Sequence, residues 1–347
     1  MLAKVKHIIP VTRIQRERLL PIPGRLLARR GQNVSVSDII AEADLAPEHI
    51  LLNIARTLRV SVDEVGSYLD YKEGDDVAEG DVLAERSVGF SKLVSRAPKS
   101  GHIVAIRGGQ VLLEVEGRPF QLRAGMPGEI TELVAELGAF IETTGALIQG
   151  VWGNGRFDEG LMNVLCQAPY DTLTPDQLDV SMRGTVVLGG YCDNEGVFVN
   201  AGDIPLRGLI LASMPAALLP AAARTRCPVI VLEGLGKLPM NEVAHKLLST
   251  NERRQVVVNA DMHHGRPEVV IPLPATPDMP PLNDVNTFRA GQRVRLACNP
   301  HMGQIGVVAE VLPGLSRLEN GVRAPAAVVQ LDKRSLVLPL ANLEVLE

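Results

Sequence analysis

Turns that contain glycine or aspartate divide the first 150 residues into apolar segments too short for long helices. Clear examples are Lys72–Val77 followed by Glu79–Ala84, and Pro127–Ile130 followed by Gly138–Ile141. Glycine adopts the positive φ angles that tight turns need, and the Val, Leu and Ile residues between the turns favour strands. We therefore expect residues 1–150 to form a domain made mainly of short β-strands.

The size and composition of the chain limit what it can be. A length of 347 residues predicts about two to four domains. Aromatic residues make up only 3% of the chain, so we expect aliphatic cores and no aromatic platform for stacking the bases of single-stranded nucleic acid. The net charge of −5 argues against a protein that coats nucleic acid with its whole surface.

The N-terminal segment is basic. Residues 1–30 carry eight Lys and Arg side chains and a single acid, Glu17. Such a segment either binds phosphate or forms a solvated surface. Both interpretations stay open, because apolar residues such as Ile8, Ile9 and Leu19 interrupt the basic ones.

A helical insert is expected within the first domain. Ala46–Arg59 places Ile50, Leu51, Ile54 and Leu58 at helical spacing, and Val60–Leu69 suggests a second short helix. We predict this insert at about residues 46–70.

Residues 72–150 contain a second recurring motif. Gly74–Val77, Gly80–Ala84 and Ala97–Ile106 together resemble the barrel-sandwich hybrid fold of lipoyl and biotinyl domains. In those domains a lysine carries the cofactor, and Lys92 is the nearest candidate here. It lies five residues before Ala97 and lacks the flanking Met or Asp, so we expect the scaffold without an attached cofactor.

Residues 151–266 show a different pattern. Helical segments at Met214–Arg224 and Met240–Ser249 separate almost continuous apolar runs, which are Gly184–Gly190, Gly208–Ser213, Cys227–Leu232 and Gln255–Asn259. Such runs are typical of parallel strands covered on both faces, and predict an α/β domain. Residues 267–286 contain six prolines and are expected to be a linker.

The α/β region offers one candidate anion-binding site. Gly234, Gly236 and Lys237 follow the third apolar run, and Ser213 ends the second. Open α/β sheets bind ligands at the carboxyl ends of their strands. The spacing is not that of a P-loop, and no Ser or Thr follows the lysine, so an ordinary strand-to-helix turn is the alternative.

The C-terminal residues 287–347 contain alternating strands and a glycine pair. Gly291–Leu296 leads to a turn with Gly303 and Gly306, and Leu338–Leu346 ends the chain. This segment resembles the KOW motif of NusG-type transcription factors and ribosomal proteins. The resemblance implies an SH3-like small β-barrel that binds RNA, the ribosome or RNA polymerase.

That resemblance supplies the candidate partner-binding residues. They are Arg293, Arg295, His301, Gly303, Gly306, Arg317, Arg323, Lys333 and Arg334. Guanidinium and ammonium groups would form charge-assisted hydrogen bonds to phosphate, weakened by salt. The segment has only seven basic against five acidic residues, so a protein partner is the alternative.

Together these patterns predict a multidomain α+β protein with a non-enzymatic binding or adaptor function. A small-molecule-binding or nucleotide-binding enzyme that uses the α/β domain, and a structural homo-oligomer, are the alternatives. We assign no catalytic residue, metal or cofactor. The four cysteines form no CxxC pair, and the apolar run Leu209–Ala223 is shorter than a membrane span. We expect a cytoplasmic protein with reduced, mostly buried thiols and no membrane partner.

Overall fold

Strands make up most of the regular structure in the computed structural model of the protein. The structure describes residues 2–45, 47–89, 91–115, 117, 119–263, 265–274, 282, 285–332 and 334–347. The chain divides into two compact units. The first unit combines Met1–Leu19, Ala28–Ile40 and Arg123–Glu347, and the second combines Leu20–Leu27 with Ala41–Leu122. This division does not follow chain order, unlike the sequential domains expected from the sequence.

The first half of the chain is almost entirely β. Up to residue 53 it forms β1 (Leu2–Lys6), β2 (Ile8–Leu19), β3 (Arg25–Leu26), β4 (Asn33–Val34), β5 (Ile39–Ala43) and β6 (Glu48–Asn53). The helix α1 (Ile54–Leu58) and a 3-10 helix (Val62–Ser67) precede β7 (Asp76–Val77), β8 (Val82–Val88), β9 (Ser91–Arg96), β10 (Gly101–Arg107), β11 (Gln110–Val115) and β12 (Phe120–Arg123). Then come β13 (Gly128–Val134), β14 (Gly138–Gln149), β15 (Trp152–Gly153) and β16 (Phe157–Val164).

Short helices appear in the second half. Residues 175–272 contain 3-10 helices at Pro175–Gln177, Val180–Met182 and Ala216–Leu218, together with β17 (Thr185–Leu188), α2 (Gly196–Asp203), β18 (Gly208–Met214), α3 (Leu219–Arg224), β19 (Val229–Leu235), α4 (Glu242–Ser249), β20 (Gln255–Asn259) and β21 (Glu268–Pro272). The C-terminal part forms β22 (Val285–Thr287), β23 (Arg293–Leu296), β24 (Ile305–Val311), β25 (Ser316–Arg317), β26 (Arg323–Ala324), β27 (Ala326–Gln330), β28 (Ser335–Pro339), a 3-10 helix (Leu340–Asn342) and β29 (Leu343–Leu346).

The second unit has a small aliphatic core between short sheets. One sheet has the strand order β6-β11-β10-β7, another has β12-β5-β3, and β8 and β9 form a hairpin. Ile54, Leu58, Leu83, Ile103 and Leu113 are fully buried in a core formed by the first of these sheets, the β8–β9 hairpin and α1.

The predicted helical insert is wrong over its first part. Glu48–Asn53 forms β6, which pairs antiparallel with β11, and the helix begins only at Ile54, where the Asn53 side chain accepts a hydrogen bond from Arg56 N at 2.9 Å. Leu51 is 59% exposed while its neighbours Ile50 and Leu52 pack on the core. The apolar residues that suggested a helix are therefore divided between a strand and one helical turn.

A large sheet forms the body of the first unit. Its strand order is β15-β19-β18-β17-β16-β20-β21-β14-β13-β4, and β2 pairs with β14. The strands β16, β17, β18 and β19 are parallel neighbours, whereas β20 runs antiparallel to β16. The prediction that β20 is a fourth parallel strand was therefore wrong. The reason is that a run of buried valines such as Val256–Val258 does not indicate the direction of a strand.

Both faces of the parallel strands are covered. In β17, Val186 and Leu188 pack on the face covered by α4, while Val187 packs on the face covered by α2. These strands are hydrophobic on both faces because neither face contacts water.

The predicted linker is partly a strand. Glu268–Pro272 forms β21, which pairs with both β14 and β20. The other residues of the predicted linker that lie at 275–281, 283 and 284 are outside the described residues.

A seven-stranded sheet, which we call the C-terminal sheet, has the order β22-β1-β29-β23-β24-β27-β28. Val294, Leu296, Val308, Val329 and Val345 form its core. The N-terminal strand β1 lies within it and pairs parallel with β29.

The basic N-terminal segment is a solvated surface only in part, because Lys4, Arg13, Arg25, Arg29 and Arg30 are exposed but two other cations are not. Its residues form β1 in the C-terminal sheet and β2 in the large sheet. Lys6 is fully buried and Arg18 is only 5% exposed, so two of its cations lie in the interior.

The cysteines are unpaired, as expected. Cys166, Cys192 and Cys227 are buried, and Cys298 is half-buried. In the part of the chain that the structure describes, no helix is long and apolar enough to cross a bilayer.

Thiol reactivity tests this burial. Burial raises the pKa of Cys166 and Cys192 to about 11 and that of Cys227 to about 12, so these thiols stay protonated at pH 8 and do not act as nucleophiles. We expect Ellman's reagent to modify only Cys298 in the native protein, and all four cysteines after unfolding in guanidinium. Rapid modification of a Cys298→Ser variant in the folded state would contradict this.

Candidate functional site

Five charged side chains form a connected cluster in the interior of the first unit; we call Lys6, Glu233, Arg266, Arg295 and Glu344 the ion network. Lys6 Nζ donates a hydrogen bond to Glu233 Oε2 at 3.1 Å, and Arg295 Nε donates to the same oxygen at 3.2 Å. Arg295 Nη1 donates to Glu344 Oε2 at 3.0 Å, and Arg266 Nη2 donates to Glu344 Oε1 at 2.9 Å. The network joins three strands of the C-terminal sheet to the large sheet.

Burial raises the desolvation cost of the charges in the ion network. The side chains of Lys6, Glu233 and Arg295 are at most 4% exposed. Desolvation lowers the pKa of Lys6, and the attraction of Glu233 offsets only part of this effect. Burial alone would raise the pKa of Glu344, but Arg266, Arg295 and Lys6 hold it below its usual value. Each charge is therefore tolerated only because its partners are in place.

Strand alternation places these charges. Val294 and Leu296 point into the core of the C-terminal sheet, so Arg295 between them points to the opposite face. Glu344 lies directly across from Arg295 in the β23–β29 pairing, and it faces the same side. Both residues therefore face the large sheet rather than solvent.

Arg295 consequently does not lie on a free surface. It was a candidate for contact with phosphate, but it is 3% exposed and also donates to the main-chain oxygen of Glu233. Its role is to join the two sheets.

Two loops that the sequence suggested as separate sites contact each other. A Cβ at Gly303 would lie 3.4 Å from Leu238 Cδ2, and one at Gly234 would lie 3.8 Å from Met302 Sδ. The glycine loop of the C-terminal segment and the glycine loop after β19 thus form one internal contact. Neither glycine is at an open binding surface.

Gly306 has a packing role. A Cβ there would lie 2.6 Å from Val329 Cγ1 on the neighbouring strand β27. Any larger residue would push these paired strands apart, so Gly306, a predicted partner-binding residue, is needed for close packing within the sheet.

The remaining candidates of the C-terminal sheet lie at two opposite ends of it. His301 and Arg334 belong to turns at one end, where Arg334 Nη2 donates to His301 Nδ1 at 3.0 Å. Arg317 and Arg323 belong to the hairpin β25–β26 at the other end, and Arg293 lies on an outer strand face. Lys333 lies outside the described residues. The predicted partner-binding residues therefore lie at separate places and do not form one site.

The hairpin β25–β26 presents two arginines side by side. Arg317 is directly opposite Arg323 in the pairing, so both side chains lie on one face of the hairpin. Both are exposed, and within the described residues neither forms an ion pair. Leu315 and Val322, next to them in the chain, are 67% and 54% exposed.

The candidate anion-binding residues are largely engaged internally. Ser213 is fully buried, and its Oγ donates to Leu238 O at 2.6 Å and accepts from Leu238 N at 3.0 Å. The amide of Gly236 donates to Met214 O at 2.8 Å. Lys237 lies over the ring of Tyr191, with Nζ 5.6 Å from the centroid. Amides that a bound phosphate would use are thus already hydrogen-bonded within the protein.

Sequence reasoning did not find the ion network. Its one visible signal is a single charged residue inside or at the end of an apolar run, as for Glu233 after Val229–Leu232 and for Glu344 between Leu343 and Val345. Which charges meet depends on strand pairing across more than 200 residues, since Lys6 and Glu233 are 227 positions apart.

No protein-family model matches the chain, and no curated protein matches it.

Removal of the central carboxylate tests the ion network. Glu233→Gln leaves the buried cations Lys6 and Arg295 with too little negative charge, and we expect the free energy of unfolding to fall by about 3–5 kcal/mol. Urea unfolding followed by the fluorescence of Trp152, the only tryptophan and a residue of the first unit, measures this. The matched control is Glu195→Gln, an exposed carboxylate 4.0 Å from Arg224, with an expected loss of about 0–1 kcal/mol. Equal losses for the two variants would contradict the network's importance.

The pH dependence of stability tests Glu344. Because its pKa in the folded protein is below the ordinary 4.5, its contribution is complete above pH 4.5 and is lost as the pH falls through the lower folded value. We expect Glu344→Gln to be less stable than wild type at pH 7 and to lose less stability between pH 5 and pH 3. Urea unfolding of both proteins at these pH values measures this. If the two free energies of unfolding fell by the same amount between pH 5 and pH 3, this assignment would be wrong.

Proposed function

We propose that the protein is a non-enzymatic adaptor that binds the phosphate backbone of RNA through the hairpin β25–β26. The observation that carries this proposal is the exposed pair Arg317 and Arg323, which lie directly opposite each other. Within the described residues neither has a carboxylate partner.

The energetics of the arginine pair favour an anionic partner. Like charges directly across a strand pair destabilise it, and a phosphate group between them would turn this repulsion into two charge-assisted contacts. Arginine suits this role because its planar guanidinium binds phosphate in a bidentate manner. Glu319, in the turn of the same hairpin, forms no ion pair with either arginine.

The hairpin is attached to a sheet that is itself joined to the rest of the first unit. The C-terminal sheet contains the N-terminal strand β1, and the ion network joins that sheet to the large sheet. Because the opposite end of the C-terminal sheet contacts Leu238, the hairpin end is the part that remains for a partner. The KOW-like resemblance of the segment is in keeping with RNA as that partner.

Salt-dependent binding to RNA tests the proposal. Fluorescence anisotropy would follow a labelled mixed-sequence single-stranded RNA and the full-length protein between about 50 and 200 mM salt. For Arg317→Gln with Arg323→Gln we expect affinity about tenfold lower or worse, and a slope of log K against log salt that is smaller by about 1.4, which corresponds to two phosphate contacts.

A control removes the same charge elsewhere. Arg183→Gln with Arg226→Gln changes two exposed arginines of the same unit and should bind as the wild type does. If the wild type does not bind RNA at low salt, or if both double variants lose affinity equally, the proposal fails. If the protein instead bound another protein through the hairpin arginines and did not bind RNA, the proposed RNA partner would be wrong and a protein partner would take its place.

A further inference from the structure

A large cleft lies within the first unit, away from the hairpin. Its volume is about 1120 Å³, and its walls come from β1, β2, both ends of β14 and the segment around residues 259–268. This is the size of a site for a small organic molecule. Phe140 and Gln149, nine positions apart in β14, both line it, so the long strand bends around the cleft.

Arg18 is a nearly buried cation in the wall of this cleft. It is 5% exposed, and its Nε donates to Ala124 O at 2.9 Å. Its guanidinium lies 5.8 Å from the centre of the Phe157 ring, and Nη1 is 3.6 Å from Asp261 Oδ2, beyond hydrogen-bond distance. Among the described residues, its two terminal nitrogens therefore have no hydrogen-bond acceptor.

The chain makes room for this guanidinium. A Cβ at Gly125 would lie 1.6 Å from Arg18 Nη2, so only glycine allows the observed position. The positive φ of 69° at Gly125 also favours glycine. The placement of Arg18 is thus built into the backbone around it.

Gln149 supplies a second unused donor. It is 5% exposed, and its Oε1 accepts a hydrogen bond from His7 N at 3.1 Å. This contact orients the amide, and its Nε2 has no acceptor among the residues that the structure describes. Neither this amide nitrogen nor a terminal nitrogen of Arg18 is a buried atom without a partner, so these donors reach the open space of the cleft, where a ligand can accept their hydrogen bonds.

The pairing of the arginines around the cleft favours a ligand with one negative charge. Arg16 forms a bidentate pair with Glu268, with a shortest distance of 2.7 Å, and Arg266 is paired with Glu344 at 2.9 Å. Arg18 Nη1 lies 3.6 Å from Asp261 Oδ2, so its ion pair is looser than those of Arg16 and Arg266. A doubly charged phosphate monoester would be repelled by Asp261, whereas a carboxylate matches the planar guanidinium with a single charge.

The apolar part of the lining determines the rest of the ligand. Met126, Phe140, Val151 and Met262 line the cleft beside the two donors. We propose that the cleft binds a small organic monocarboxylate, whose carboxylate accepts hydrogen bonds from Arg18 and Gln149 and whose apolar portion packs on these side chains. This site is independent of RNA binding by the hairpin.

Calorimetric titration of the full-length protein at pH 7 with acetate, butyrate, octanoate and benzoate tests the site. We expect at least one of the longer acids to bind, and its uncharged alcohol analogue to bind at least tenfold more weakly because it lacks the charge for Arg18. No binding by any of the four acids overturns the proposal. An alcohol that binds equally well, or an alkyl phosphate that binds more tightly than the carboxylate, also overturns it.

Variants assign the binding to Arg18. Arg18→Gln should weaken it at least tenfold, while Arg13→Gln, an exposed arginine of the same strand, should leave it unchanged. If circular dichroism shows that Arg18→Gln does not fold, a second variant, Met262→Trp, tests whether the ligand occupies the cleft. Met262 is 46% exposed at the cleft, so a bulkier residue fills the space without disturbing the core, and binding should again fall at least tenfold. Undiminished binding by a folded Arg18→Gln variant, or by Met262→Trp, overturns the proposal.

Discussion

The ion network of Lys6, Glu233, Arg266, Arg295 and Glu344 is the interaction on which the arrangement of the first unit depends. Removing each of these charges from water costs several kcal/mol, and mutual attraction repays this only when the geometry is good. Any other placement of the C-terminal sheet would leave buried charges without partners. We infer that the network selects one docking geometry, whereas the aliphatic cores on either side supply most of the stabilisation.

This docking also determines which surfaces remain for function. It buries Arg295 and brings the loop of Gly303 against Leu238, so one end of the C-terminal sheet serves internal contact. The opposite end carries the arginines of the hairpin β25–β26, which have no carboxylate partner among the described residues. At the cleft, Arg16 and Arg266 donate hydrogen bonds to neighbouring carboxylates, whereas the nearest carboxylate oxygen to Arg18, that of Asp261, is 3.6 Å away. In both places the informative residues are the cations that the protein itself leaves incompletely matched.

Local patterns predicted individual elements well and their assembly poorly. The apolar runs correctly indicated β17, β18, β19 and β20, because each is buried on both faces. The same runs contain no signal for direction, and β20 proved antiparallel. The helical spacing of Ile50, Leu51 and Ile54 was misleading, because pairing with β11 outweighed the helical preference of Glu48–Asn53. The basic N-terminal segment could not be interpreted locally, since its partners lie more than 200 residues away.

By itself the sequence determined the strand-rich character, the aliphatic cores and the unpaired cysteines, because all of these follow from residue type and short-range spacing. Only the tertiary structure decided that Lys6 and Arg295 are buried partners of Glu233 and that Arg18 and Gln149 line one cleft. It also decided that β1 belongs to the C-terminal sheet. The physical reason is that a charge has no fixed role in a sequence. Whether a charged side chain is solvated, forms an ion pair or lines a cleft depends on where folding places it.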